Sequence, residues 1–163
     1  MLVSACLLGN KVRYNGSNLS IQAEIVNWLN EHVEIIPCCP EVSAGLPTPR
    51  APAEIQFGQG IDVIHHHAKV VGDDGIDVTA QFIQGAQNAL SLCQTQGIRF
   101  AVLAESSPSC GSNTIYNGTF KGVKIPGPGV TSALLEHNGI HVFSQHQLDK
   151  LIDILCSPLK PTY

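Results

Sequence analysis

RFAVLAESSPSCGS, residues 99–112, passes from a solid apolar run into a polar loop that carries a cysteine. A run such as Phe100-Ala101-Val102-Leu103, with no polar alternation, suits a strand buried on both faces, as in a parallel sheet. Residues 99–104 are therefore expected as a strand. The same grammar recurs twice upstream. Leu2 to Ala5 reads as a buried strand and is followed at once by Cys6, and residues 33–37 read as a strand followed at once by Cys38 and Cys39. A shorter run at 141–143 gives a fourth strand.

Between these runs the apolar residues fall at helical spacing. A helix is expected over about 18–31, with Leu19, Ala23, Val26 and Leu29 on one face. Thr79 is expected to cap a second helix ending near Gly97, its inner face formed by Phe82, Ile83, Ala86, Leu90 and Cys93. Gly127-Pro128-Gly129 opens a third helix that stops at Asn138-Gly139. Ser144 with Gln147 reads as a capping box for a last helix carrying Leu148, Leu151, Ile152 and Leu155 inward. Residues 38–60 are rich in Pro and Gly, and a short strand or hairpin is expected near 68–71, closed by the turn Gly72-Asp73-Asp74-Gly75. Strands alternating with helices imply an α/β fold: one Rossmann-like domain over residues 1–163, its sheet mainly parallel, with helices on both faces.

Composition narrows the partners. Charged residues make up 13% of the 163-residue chain, the formal net charge is -4, and the nine Lys and Arg form no run. A nucleic-acid backbone or an anionic membrane is not expected as a partner. No basic region precedes the apolar residues of the first strand, and no apolar stretch approaches membrane-spanning length, so a cytoplasmic protein is expected. The six cysteines at 6, 38, 39, 93, 110 and 156 then do not read as a disulfide framework, and none shows C-x-x-C spacing.

Ligands of open parallel sheets collect beyond the carboxyl ends of the strands. Cys6, the Cys38/Cys39 pair and Cys110 fall there, whereas Cys93 and Cys156 lie on helices and read as small buried hydrophobes. Three thiolates converging from three loops suit a soft metal centre, either zinc with an open position or an iron-sulfur cluster with one iron lacking a protein ligand. Neighbouring side chains on extended backbone point oppositely. One thiol of the pair therefore faces the crevice, and Cys39, beside Pro40 and Glu41, is the choice. His65-His66-His67 reads as a solvated strand edge rather than a metal tract. The paired Gly127 and Gly129 leave N–H groups that cap a helix or cradle an anion.

SACLLGNKVRYNG (4–16), PCCPEVSAGLPTPR (37–50), DVT (77–79), AESSPSCGSNTIYNGTF (104–120) and GPGVTSALL (127–135) together resemble the thiouracil desulfidase family of small iron-sulfur proteins. The resemblance runs in order over nearly the whole chain. It implies a [4Fe-4S] cluster held by three cysteines, here Cys6, Cys39 and Cys110, with the fourth iron free to bind the sulfur of a small thiolated nucleobase. It also implies removal of that sulfur without net redox change, with Glu41 and Ser107 beside a water; Ser106 and Ser109 are near alternatives for the serine. Ser112 and Asn113 are expected to donate hydrogen bonds to cluster sulfurs.

The residue types suit that chemistry. A thiocarbonyl sulfur is soft, and iron among sulfides is a suitable Lewis acid for it. A carboxylate can take the proton of the attacking water and return it as sulfide departs. Two rival functions are an iron-sulfur redox or sensing module without hydrolysis, and a three-cysteine zinc site. The zinc reading is disfavoured for a deaminase, because the chain contains no P-C-x-x-C.

Overall fold

The computed structural model of the chain describes residues 1–157, so the last six residues of the expected domain, 158–163, lie outside the described residues. Eight strands and six helices follow one another: β1 Leu2–Ser4, α1 Ala23–His32, β2 Ile36–Cys38, α2 Pro40–Ser43, β3 Ala53–Gln56, α3 Gly60–Ile64, β4 Lys69–Gly72, α4 Thr79–Gln96, β5 Phe100–Leu103, β6 Thr114–Tyr116, β7 Lys124–Pro126, α5 Val130–His137, β8 His141–Ser144 and α6 Leu148–Cys156. A 3-10 turn, Ala5–Leu8, follows β1 directly.

The four expected strands form one parallel sheet in the order β2-β1-β5-β8, flanked by helices. Val3 sits between Pro37 and Val102, and Leu103 pairs with Ser144. From β1 the chain runs outward to β2 and then crosses back to β5 on the other side. The topological switch point therefore lies between β1 and β5, and a crevice opens beyond their ends. Leu2, Val3, Ala101 and Val102 are fully buried, as the unbroken apolar runs require. They join Leu7, Cys93, Leu135 and Leu151 in the main core, and a second core gathers Ile55, Val63, Val70, Phe82 and Ile115.

Two antiparallel hairpins, β3-β4 and β6-β7, lie outside the parallel sheet. Only β4 was expected; the others hide in Pro- and Gly-rich stretches, where three- and four-residue strands leave too little pattern to read. α1 begins five residues later than expected. The segment before it instead lies along the 3-10 turn, with Leu19 N–H donating to Cys6 C=O at 2.9 Å and Ile21 N–H to Leu7 C=O at 3.0 Å. Of its expected inner face only Leu29 is fully buried.

Thr79 does not cap α4. The Asp77 carboxylate accepts the Thr79 N–H at 3.0 Å, and the Thr79 hydroxyl oxygen accepts the Val70 N–H at 3.0 Å, tying the helix start to β4. Cys93 is buried as expected, but Cys156 is exposed, because α6 turns that position away from Leu148 and Leu151. The three histidines are exposed in the turn between α3 and β4 rather than on a strand edge. No helix among the described residues is long and apolar enough to cross a membrane.

Candidate active site

β1, β2 and β5 finish at one edge of the sheet, and each passes into a turn that carries a cysteine. Cys6 lies in the 3-10 turn after β1. Cys39 is the extended residue between β2 and α2, and Pro40 takes the first helical position, where its missing N–H leaves nothing unsatisfied. Cys110 lies in the turn after β5. These three thiols line one cavity of about 550 Å³ together with Glu41 and Ser107; Cys38 lines it too, so alternation does not turn one member of the pair away from the crevice as expected. The expected site residues are thus brought to one place from three separate loops.

The Cys110 loop is held from both sides. Glu105, the second residue after β5, accepts N–H groups of Ser106, Ser112, Asn113 and Thr114 at 3.0–3.1 Å, and its other oxygen accepts Asn113 Nδ2 at 2.8 Å. Burial pushes the Glu105 carboxyl up, but these hydrogen bonds outweigh it and hold the group below its ordinary value. Ser112 and Asn113 are therefore committed to Glu105, which corrects the expectation that they face cluster sulfurs.

From the other side, the first N–H groups of α5 point at the loop's carbonyls. Val130 donates to Pro108 at 2.8 Å, Thr131 to Ser109 at 2.9 Å, and the Ser132 hydroxyl to Cys110 at 2.7 Å. That helix end caps the loop and keeps no free N–H for an anion. Gly129 makes the approach possible, since a Cβ there would stand 2.5 Å from the Pro108 carbonyl oxygen. Gly85 does the same for the second loop: α4 passes so close to Pro40 that a Cβ at Gly85 would stand 2.4 Å from its carbonyl oxygen.

The three serines near Cys110 have different surroundings. Ser107 Oγ accepts the N–H groups of Ser109 and Cys110, both at 3.2 Å, so its own hydroxyl proton is free. Ser106 pairs with Thr114 at 3.1 Å, and Ser109 is buried against Thr131 at 2.8 Å. Ser106 and Ser107 line the cavity. Glu41, in the first turn of α2, accepts from Arg50 Nε, and Arg50 is anchored in turn by the carbonyls of Val12 at 3.0 Å and Pro47 at 3.2 Å.

The thiols repel ionisation. Burial, then the neighbouring Cys39, pushes Cys6 up to about 11. Cys38 is also pushed up to about 11, by burial and then by Cys39, and burial raises Cys39 itself. Burial raises Cys110 well above its ordinary value, with Glu41 and Cys39 adding to it. Three thiols that resist becoming anions alone suit a cationic thiophilic group that would stabilise all three as thiolates. Among the described residues, no three His, Cys, Asp or Glu side chains are gathered closely enough to close on one metal ion.

Fold and site together define an α/β protein with a three-thiol pocket at the switch point of a parallel sheet. The sequence profile of the 2-thiouracil desulfurase family matches residues 1–147, and the chain belongs to that family. It is 43% identical over 152 residues to the uncharacterised Bacillus subtilis (strain 168) protein YbbK, covering 93% of this chain and 99% of that one. It is similar in structure to the [4Fe-4S]-dependent thiouracil desulfidase TudS, with a TM-score of 0.84 at 50% identity over 95% of this chain and 96% of the other.

Proposed function

We propose that this chain acts as one domain, in the cytoplasm, to desulfurate thiouracil or a related small thiolated nucleobase, giving the oxo base and sulfide. Cys6, Cys39 and Cys110 would hold a [4Fe-4S] cluster, and Glu41 and Ser107 would handle the water. The observation that carries this reading is the meeting of three free thiols from three strand-end turns with Glu41 in one cavity. Free thiols throughout also suit a reducing compartment.

When bound, the cluster supplies a soft Lewis acid with one iron free of protein ligands, suited to a thiocarbonyl sulfur. The chain's own residues do the rest. Arg50 fixes one oxygen of Glu41, leaving the other to take a proton from water. Ser107, its oxygen occupied by two backbone N–H groups, donates its hydroxyl proton to orient that water. The water oxygen bonds to the thiocarbonyl carbon as Glu41 takes its first proton, and the C–S bonding electrons leave with sulfur as Glu41 gives that proton to it. Glu41 then relays the second proton from the new hydroxyl to the departing sulfide as the C=O bond forms. Water and thiobase thus become oxo base and hydrogen sulfide, with no electron gained or lost.

The test is anaerobic reconstitution with iron and sulfide, followed by metal analysis and assay of 2- and 4-thiouracil. Brown protein with about four irons that releases sulfide from either isomer supports the reading. Colourless zinc-loaded protein, or a cluster that takes up electrons but releases no sulfide, would transfer it to one of the two rivals.

A further inference from the structure

Glu54 is the side chain with a role still to be explained. It lies on β3, where alternation sends its neighbour Ile55 into the second core and leaves Glu54 lining the cavity. It is 6% exposed. One carboxylate oxygen, Oε2, accepts the Phe120 N–H at 2.8 Å and holds the loop after β6. The other, Oε1, is buried without any hydrogen-bond partner, and no other side-chain oxygen or nitrogen among the described residues is left so. Neither of the described ion pairs includes Glu54. The one lysine on the cavity wall, Lys124, lies over the Tyr116 ring instead.

A buried carboxylate oxygen without a donor is costly, and the deficit marks a place for a donor from outside the chain. A clamp for Phe120 alone needs a single acceptor, which Asn or Gln supplies without charge. We propose that the Glu54 carboxylate turns Oε1, which is closed off from solvent in this structure, into the cavity to accept a ring N–H of the substrate, making Glu54 the residue that selects cyclic thioamides carrying a free N–H and orients the ring there. Both thiouracil isomers carry an N–H directly beside the C=S carbon, so one acceptor on the wall serves either. Glu41 and Ser107 serve the sulfur-bearing carbon, while Glu54 holds the ring.

The proposal rests on the desulfidase reading, and a sulfur-free probe separates the two. Uracil, 1-methyluracil and 3-methyluracil are titrated calorimetrically into reconstituted wild-type protein and Glu54→Gln. Gln keeps an acceptor for Phe120 but turns an NH₂ toward the ring N–H. A site built on a substrate N–H rejects the analogue that lacks it. At least one methyluracil should therefore bind wild type about 10-fold or more weakly than uracil, and Glu54→Gln should weaken uracil itself about as much while erasing that discrimination. With thiouracil as substrate, KM should rise and kcat should change little.

Wild type that binds uracil and both methyluracils equally, or fails to bind uracil, overturns the proposal with no variant needed. Discrimination that persists unchanged in Glu54→Gln assigns it to steric exclusion and overturns the proposal as well. Absence of sulfide release by wild type, with uracil discrimination intact, would sink the desulfidase reading and leave Glu54 as the base-binding residue.

Discussion

The Arg50 guanidinium donates from Nε to Glu41 Oε2 at 2.7 Å, with the two side chains only 8% and 14% exposed. An ion pair this sheltered is screened little by solvent and fixes the carboxylate's orientation. Arg50 itself is a hub that ties the Glu41 turn to the loop after the 3-10 turn through Val12. The acid beside the thiols is thus positioned from outside its own four-residue helix.

Glu41→Gln should keep colour, iron content and thiouracil binding and lose turnover by about 10²–10⁴-fold, the range for a general acid–base group. Arg50→Met should lower kcat by about 10–10²-fold through misplacement of the acid, with partial recovery in Arg50→Lys. Steady-state sulfide release under argon, with KM and kcat separated, reads both. Wild-type kcat in Glu41→Gln with a full cluster would remove the acid from the mechanism.

Cys6→Ala, Cys39→Ala and Cys110→Ala should each lose the cluster, whereas Cys38→Ala and Cys156→Ala should retain it. Cys93→Ala should also retain it but cost about 1 kcal/mol, since Cys93 is fully buried in the main core. Iron content and the visible spectrum decide. Loss of iron in Cys38→Ala together with retention in Cys39→Ala would exchange the roles of the pair.

Much of this site is legible in the sequence because it lies where strands stop. Phe100 to Leu103 and Leu2 to Ser4 are unbroken apolar runs, and a cysteine just past such a run can only sit at the sheet's ligand-binding edge. What holds those cysteines is less visible. Glu105 follows a strand like many surface carboxylates, and only the Ser, Asn and Thr residues seven to nine positions on hint that it collects their N–H groups. Glu54 sits in a stretch whose Pro and Gly content masks β3, and its partner Phe120 is 66 residues away. Gly85 looks like a flaw in a helix until Pro40 is seen against it.

Gly85→Ala separates propensity from packing. In a solvent-facing helix interior, Ala is favoured over Gly by about 1 kcal/mol. Here the new Cβ would meet the Pro40 carbonyl oxygen at 2.4 Å, so Cys39 and Glu41 must move. Lower Tm and reduced iron retention are expected. A Tm raised above wild type with a full cluster would show that the Pro40 turn gives way freely.

Glu105 sets a pH dependence with a definite sign. Its carboxyl is held below its ordinary value in the folded chain, so it contributes stability that is complete above about 4.5 and is lost as pH falls from there through the folded value. Glu105→Gln should lower Tm by roughly 2–8 °C at pH 7, and the gap from wild type should narrow below pH about 4.5. Thermal melts of both proteins from pH 7 to 3 check it. A gap that stays constant across that range would mean that the charge contributes nothing to the loop.

The central claim is that three thiols hold a cluster whose purpose is hydrolytic removal of sulfur, and its most direct test is product stoichiometry under argon with neither reductant nor oxidant added. Reconstituted wild type is expected to release uracil and sulfide in equal amounts from thiouracil over many turnovers, and Cys110→Ala is expected to release neither. Sulfide that appears only when a reductant is supplied, or uracil formation that survives in Cys110→Ala, would contradict it.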